Sequence, residues 1–405
     1  MPEKSKDIVE ADSGRELNIL MIYAKYDQAF ELDDLKESMG KRLDIDKDDV
    51  QVNQLYGSFK EGNASMIFLD DNSDHFTTAY DQDFIRETRD WVINTFPKVK
   101  PIDQNFYANW RGLIFIMQIL GGLGAFFLLI ELISNTFVKQ KRLLDDKENN
   151  EEKDIPDSKN ETMLSIILKT IGFSLIFALP GMIIMIPVFL FLPLSIAGFA
   201  LMLMFGQAFG LLVLLWWMGR KENYSLKEML SKPFKTNRNV LVKHLILGAT
   251  LSVLLIAMLY LSLGLNYLGM IPSITKLIWI PAYFTISFIL FYIYNLLFQE
   301  RLQARYGKKL KDIIKLSFIN IAIISTYLTI IILLLCFLMG SFFFIIMLYI
   351  AIPLFSLTVF VSSITYEKTG NIIPGIIINA TLIIFLVSTL SPFMTGLEYI
   401  SVFSN

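Results

Sequence analysis

The sequence predicts a multipass α-helical membrane protein of about eight transmembrane helices carrying a small N-terminal α/β domain. Three observations carry this expectation. From Arg111 onward the chain is a series of apolar runs of about 20 residues, each long enough to cross a bilayer core as a helix. The composition is 54% hydrophobic with a mean hydropathy of +0.51, too apolar for a soluble chain of 405 residues. The net charge of -2 hides a split: residues 1–105 hold 23 acidic and 13 basic side chains, whereas the remainder holds 15 and 23. An acidic head on a basic membrane block gives no support to nucleic-acid binding.

The chain is therefore read as a polar tail over 1–13, the α/β domain over 14–105 and a transmembrane helical domain over 106–405. Residues 17–24 are a short continuous apolar run, the pattern of a buried parallel strand, and Asp27 follows at its C-terminal edge. Leu32, Leu35, Met39 and Leu43 then share one helical face within 31–43. The alternating acids of 44–49 lack the glycine and closing glutamate of a calcium loop. A second strand is expected over 64–69, leading to Asp74-His75-Phe76, and an amphipathic helix over 81–96. Strand, helix, strand, helix is an α/β order.

About eight membrane helices follow, at roughly 112–137, 163–187, 192–218, 241–264, 276–298, 316–338, 341–363 and 372–391. Pro180, Pro187 and Pro193 interrupt the second and third, and a tight turn is expected near 188–192. Gly121-Gly122-Leu123-Gly124 suggests that the first helix packs closely on a neighbour. Loops 138–162, 219–240 and 299–315 each hold six Lys or Arg, and the intervening loops are nearly bare. Short basic loops stay in the cytoplasm, so an even helix count places the small domain and the C-terminus outside the cell membrane. Residues 1–7 are polar, without the apolar stretch of a signal peptide, and this leaves the export of the domain to a segment expected upstream of Met1.

Cys336 is the single cysteine and lies in an apolar run, and His75 and His244 are the two histidines. Neither a disulfide nor a multi-histidine metal site can be built from them. No cofactor is expected. An Asp after one strand and a His after the next is the order of the acid and base in an α/β-hydrolase triad. On spacing alone, Asp27 could equally cap the following helix and His75 pack in its loop.

The wording of the segment goes further. Leu20–Asp27, Tyr56–Ala64, Asp74-His75-Phe76 and Ile85–Trp91 resemble the C-terminal portion of α/β-hydrolases of the dienelactone-hydrolase and prolyl-oligopeptidase type, particularly prokaryotic membrane-bound forms with a multipass region. Leu215–Lys221 and Tyr366–Gly375 resemble the membrane block of such fusions more weakly. The resemblance implies a partial α/β-hydrolase fold, with Asp27 the triad acid, His75 the base, and the chemistry that of a serine esterase or peptidase. The chain departs from the family in having no Gly-x-Ser-x-Gly elbow. Gly57-Ser58-Phe59 lacks its form and falls between acid and base. The expected partners are thus the lipid bilayer and a separate polypeptide carrying the other hydrolase half, and the chain alone is expected to be inactive. The alternative expectation is a non-catalytic scaffold or transporter with a degenerate hydrolase remnant.

Within the membrane block, Gln118, Gln207, Asn295, Asn320 and Asn379 are the polar residues at depth, expected to join helices rather than line a path. Phe298–Arg305 is faintly similar to the Glu-Glu-x-x-x-Arg motif of CAAX-processing glutamate proteases but lacks the second Glu. Glu300, Arg301 and Arg305 are expected to form an ion cluster at a helix end, with Glu131, Lys169 and His244 near the cytoplasmic interface.

Overall fold

The computed structural model describes residues 17–27, 31–74, 77–78, 81–99, 110–137, 162–264, 271–307, 309–339 and 342–403. These fall into two compact units, one within Met1–Met117 and Gly340–Ile346, the other within Gln118–Met339 and Met347–Asn405.

In the first unit, strand β1 (Ile19–Ala24) pairs in parallel with β2 (Ser65–Asp70), Ile19 opposite Ser65 and Ala24 opposite Asp70. Helix α1 (Leu32–Leu43) connects them and α2 (Gln82–Thr95) follows. Successive side chains of a strand point to opposite faces, and here both faces are covered. Met21 and Ile67 pack with Leu35 and Met39 of α1. Leu20, Met66 and Phe68 pack with Trp91 of α2, against which Phe59 sets its ring edge-on at 4.6 Å. The Asp81 carboxylate caps α2 by accepting the amides of Asp83 and Phe84. Residues 53–56 cover the outer edge of β2: the Asn53 amide donates to the Ile67 carbonyl, its side-chain oxygen accepts from the Leu69 amide, and Tyr56 bridges Ser65. Among the described residues no strand pairs with the other edge of β1.

The second unit is a helical bundle. Helices α3 (Arg111–Phe137), α4 (Met163–Ile176), α5 (Ala178–Phe191), α6 (Ser195–Lys221), the short α7 (Leu226–Ser231), α8 (Arg238–Leu259), α9 (Ile280–Leu297), α10 (Leu310–Met339), α11 (Ile346–Thr369), α12 (Ile373–Leu390) and α13 (Gly396–Phe403) follow in order. Seven spans are individually long and apolar enough to cross a membrane, and the pair α4–α5, bent by 50°, makes an eighth if it counts as one span. This is a multipass helical membrane protein. The division of the second and third runs differs from expectation: the break falls at Phe177 and the turn at 192–194, not at 188–192. Pro180 explains the break, because its ring crowds the carbonyl four residues earlier, Ile176, and it offers no amide to accept. Pro187, expected to interrupt, is carried inside α5.

Helices α6, α9 and α12 are the interior of the bundle and α3 is its least buried span. The close helix contact is not at the Gly121–Gly124 run. Only Gly122 of those three glycines borders a neighbour, Ser262, and a methyl group added at Gly121 or Gly124 would meet nothing. The tight crossing lies at Gly206 and Gly210 of α6, four residues apart on one helix face. A Cβ at Gly210 would sit 2.4 Å from the Phe173 carbonyl oxygen, and one at Gly206 2.9 Å from that of Ala178. These are the two ends of the α4–α5 break, so the glycines seat the broken span directly on the α6 backbone.

Candidate functional site

The parallel pairing of β1 and β2 brings the turn after one strand against the loop after the other. The Lys25 amide donates to the Asp70 carbonyl at 2.8 Å, and the Tyr26 amide to the Ser73 carbonyl at 3.2 Å. Asp27 closes the first turn, its amide on the Ala24 carbonyl at 3.0 Å, and is half-buried. The sheet edge at the C-terminal ends of parallel strands is where open α/β folds build sites. Asp27 therefore lies on the rim that the sequence order implied. His75 lies outside the described residues. Asp74 and Thr77, on either side of residues 75–76, bond to each other. The Thr77 amide donates to the Asp74 carboxylate at 2.9 Å and the Asp74 amide to the Thr77 hydroxyl at 2.9 Å.

The same rim holds a carboxylate that sequence reasoning missed. Asp70 ends β2, is 2% exposed and accepts a hydrogen bond from the Ser73 hydroxyl. Burial pushes its carboxyl above the usual aspartate range, and the hydroxyl of Ser73 pulls the other way. Tyr23 is likewise raised, by burial first and then by Asp27 and Glu31. In the sequence Asp70 read as the start of a polar loop. Its burial follows from a strand that runs one residue further than the apolar pattern indicates. Among the described residues no group of three or more His, Cys, Asp or Glu side chains is placed to hold a metal ion.

The bundle contains two further polar clusters. At the C-terminal end of α9 the helix widens into a π-turn over Phe298–Gln303, which buries Gln299, Glu300 and Gln303 together. Glu300 and Arg301, expected in an ion cluster at the helix end, each find an opposite charge from another element. Arg301 pairs bidentately with Glu222 after α6, at 3.0 and 3.4 Å, while Glu300 pairs with Lys232 at 3.3 Å. Arg305 lies over the Tyr306 ring. Glu131 pairs with Lys368 at 3.3 Å and Lys169 lies over Trp217 at 5.0 Å, so both have protein partners. His244, in the second turn of α8, is buried at 3% exposure with Nδ1 unpartnered among the described residues.

Deeper in the bundle, Asn295 of α9, Asn320 of α10, Thr358 and Ser362 of α11 and Asn379 of α12 line one narrow cavity with Phe291, Tyr294 and Phe355. Asn295 donates to the Phe291 carbonyl at 2.7 Å, and Asn379 to the Thr358 carbonyl and the Ser362 hydroxyl at 2.8 Å each. Their side-chain oxygens, and that of Asn320, accept nothing. Each such buried, unpaired group costs about 1–3 kcal/mol. From the cavity toward the π-turn, Ser317 donates to Ser363 at 2.9 Å and Gln303 to the Ser363 carbonyl at 2.8 Å. Three of the five polar residues that the sequence places at depth thus converge on one space.

The described residues thus form a multipass helical bundle and, in the first unit, one pair of parallel strands with Asp27 and the buried Asp70 at their C-terminal ends. Neither a protein-family profile, nor a curated protein, nor a solved structure matches the chain.

Proposed function

We propose that the rim of the β1–β2 sheet is the acid–base half of a serine-hydrolase centre anchored in a membrane, acting on esters or peptides. The observation that carries this reading is the adjacent parallel pairing, which sets the Asp27 turn against residues 70–74 immediately before His75. In this reading Asp27 accepts a hydrogen bond from the His75 imidazole and fixes its tautomer. His75 takes the proton of a serine hydroxyl as that oxygen attacks the substrate carbonyl, then returns the proton to the leaving group as the tetrahedral adduct collapses. Water repeats the cycle on the acyl-enzyme. The serine and the oxyanion hole come from a second polypeptide. β1 supports that partnership: it is an uncharged apolar strand of the kind found inside sheets, yet one edge has no strand partner among the described residues.

The experiment is fluorophosphonate labelling of native membranes, with capture of this chain. A labelled polypeptide should co-purify with it. Asp27→Asn should slow labelling and esterase turnover by roughly 10⁴-fold and His75→Ala by roughly 10⁶-fold, the losses usual for a triad acid and base. Unchanged activity in both variants, or strong labelling of this polypeptide in isolation, overturns the proposal. The second reading, a transporter or scaffold bearing a hydrolase remnant, is favoured by one different observation, the polar cavity within the bundle.

A further inference from the structure

The cavity between α9, α10, α11 and α12 presents unpaired acceptors and no carboxylate. The side-chain oxygens of Asn295, Asn320 and Asn379 are buried to 2%, 1% and 0% exposure and have no donor. For Asn295 and Asn379 the orientation is fixed, because their amide hydrogens are committed to backbone carbonyls and the Ser362 hydroxyl. The oxygen is therefore the free end in each. Thr358 donates its hydroxyl proton to the Phe355 carbonyl, which leaves its lone pairs open as well. Three unpaired amide oxygens in the lining of one cavity, two of them with their own N–H groups committed elsewhere, favour an occupant that is positive. A divalent ion would demand carboxylates, and an anion would demand donors. A monovalent cation is satisfied by neutral carbonyl oxygens alone, which replace its hydration shell.

We propose that this cavity binds one dehydrated alkali-metal cation through the side-chain oxygens of Asn295, Asn320 and Asn379, with Thr358 completing the shell. All four residues come from different helices, so the bound ion ties four spans together. The chain of Gln299, Ser317, Ser363 and Gln303 leads from the site to the π-turn and is its polar route to the helix ends. Coupling-ion sites in transporters likewise lie at interruptions of regular helix, and here the π-turn begins three residues after Asn295.

The test uses the full chain in lipid nanodiscs and follows thermal unfolding in NaCl, KCl and choline chloride at matched ionic strength. A saturable rise in Tm of several degrees with NaCl or KCl, absent with choline chloride, is expected. Asn320 makes no side-chain hydrogen bond among the described residues, so Asn320→Leu should fold, melt higher than the native chain in choline chloride, and lose the cation response. Asn320→Asp should lower the half-saturating concentration about tenfold, since added ligand charge tightens a hard-cation site. Equal stabilisation of the native chain by all three salts overturns the proposal and leaves the oxygens to water. An undiminished response in Asn320→Leu overturns it too.

Discussion

Asp70 shows how one residue can carry a pH dependence that opposes the usual trend. Its carboxyl is held above the ordinary value by burial, so the folded state binds its proton more readily than the unfolded state. The resulting penalty is fully present at neutral pH and is relieved as pH falls through the raised value. The β1–β2 unit should therefore gain protection on going from pH 7 toward the ordinary aspartate range, and Asp70→Asn should flatten that dependence. Hydrogen exchange at the β2 amides, corrected for intrinsic rates, reads it; equal slopes in both proteins would remove Asp70 from the explanation. Arg301 and Glu222 make a second residue-scale case. Their side chains are 11% and 8% exposed, and losing one partner strands the other charge. Arg301→Met should cost about 3 kcal/mol, and the double variant Arg301→Met, Glu222→Leu should recover most of it. Chemical denaturation of the four proteins in nanodiscs closes that cycle.

At the scale of elements, α6 is the piece on which the bundle turns. Its two glycines accept the kink that Pro180 imposes on the α4–α5 span, and there is no room for a side chain at Gly210. Gly210→Val should destabilise the bundle by about 3 kcal/mol, whereas Gly124→Ala, which faces open space, should be neutral. Differential thermal stability of the two variants distinguishes a real crossing from a chance alignment of small residues. In the α/β unit the comparable device is the Asp81 cap. Its replacement by alanine removes the acceptor for two α2 amides, at about 1 kcal/mol, and should raise hydrogen exchange in the first turn of α2. The helices were legible because capping and apolar spacing are local. Residues 31–43 and 81–96 of the sequence reading differ from α1 and α2 by one residue at the ends. The π-turn was not legible, because a π-turn has no distinct composition and its Gln303 bonds to Ser363, 60 residues away in sequence.

At the scale of the whole molecule, the alternation of basic and bare loops assigns a sidedness that labelling can check. A cysteine at Lys227 should react with an impermeant maleimide only after the membrane is opened, and one at Ser273 or Thr395 without opening. The native Cys336 is buried and should contribute little background. Reversal of that pattern would place the small domain in the cytoplasm. The candidate site was only half legible at this scale. An Asp after one strand and a His after the next could be read in order, but their strands had to pair directly for the order to mean anything. The cavity was less legible still. Asn295, Asn320 and Asn379 each looked like helix glue, and two of them do bond in that way through their amide hydrogens.

The sequence by itself determined that this chain carries a series of apolar helices long enough to cross a membrane and that an acidic segment precedes them. Those properties follow from transfer of apolar surface out of water and from periodicity, which sum over neighbouring residues and need no knowledge of distant ones. Only the tertiary structure decided which polar groups meet. It joined the turn before Asp27 to Asp70 and Ser73, paired Arg301 with Glu222, and left three asparagines with unpaired oxygens in the lining of one cavity. A hydrogen bond or ion pair depends on distance and direction between atoms far apart in the chain, and no local pattern encodes that.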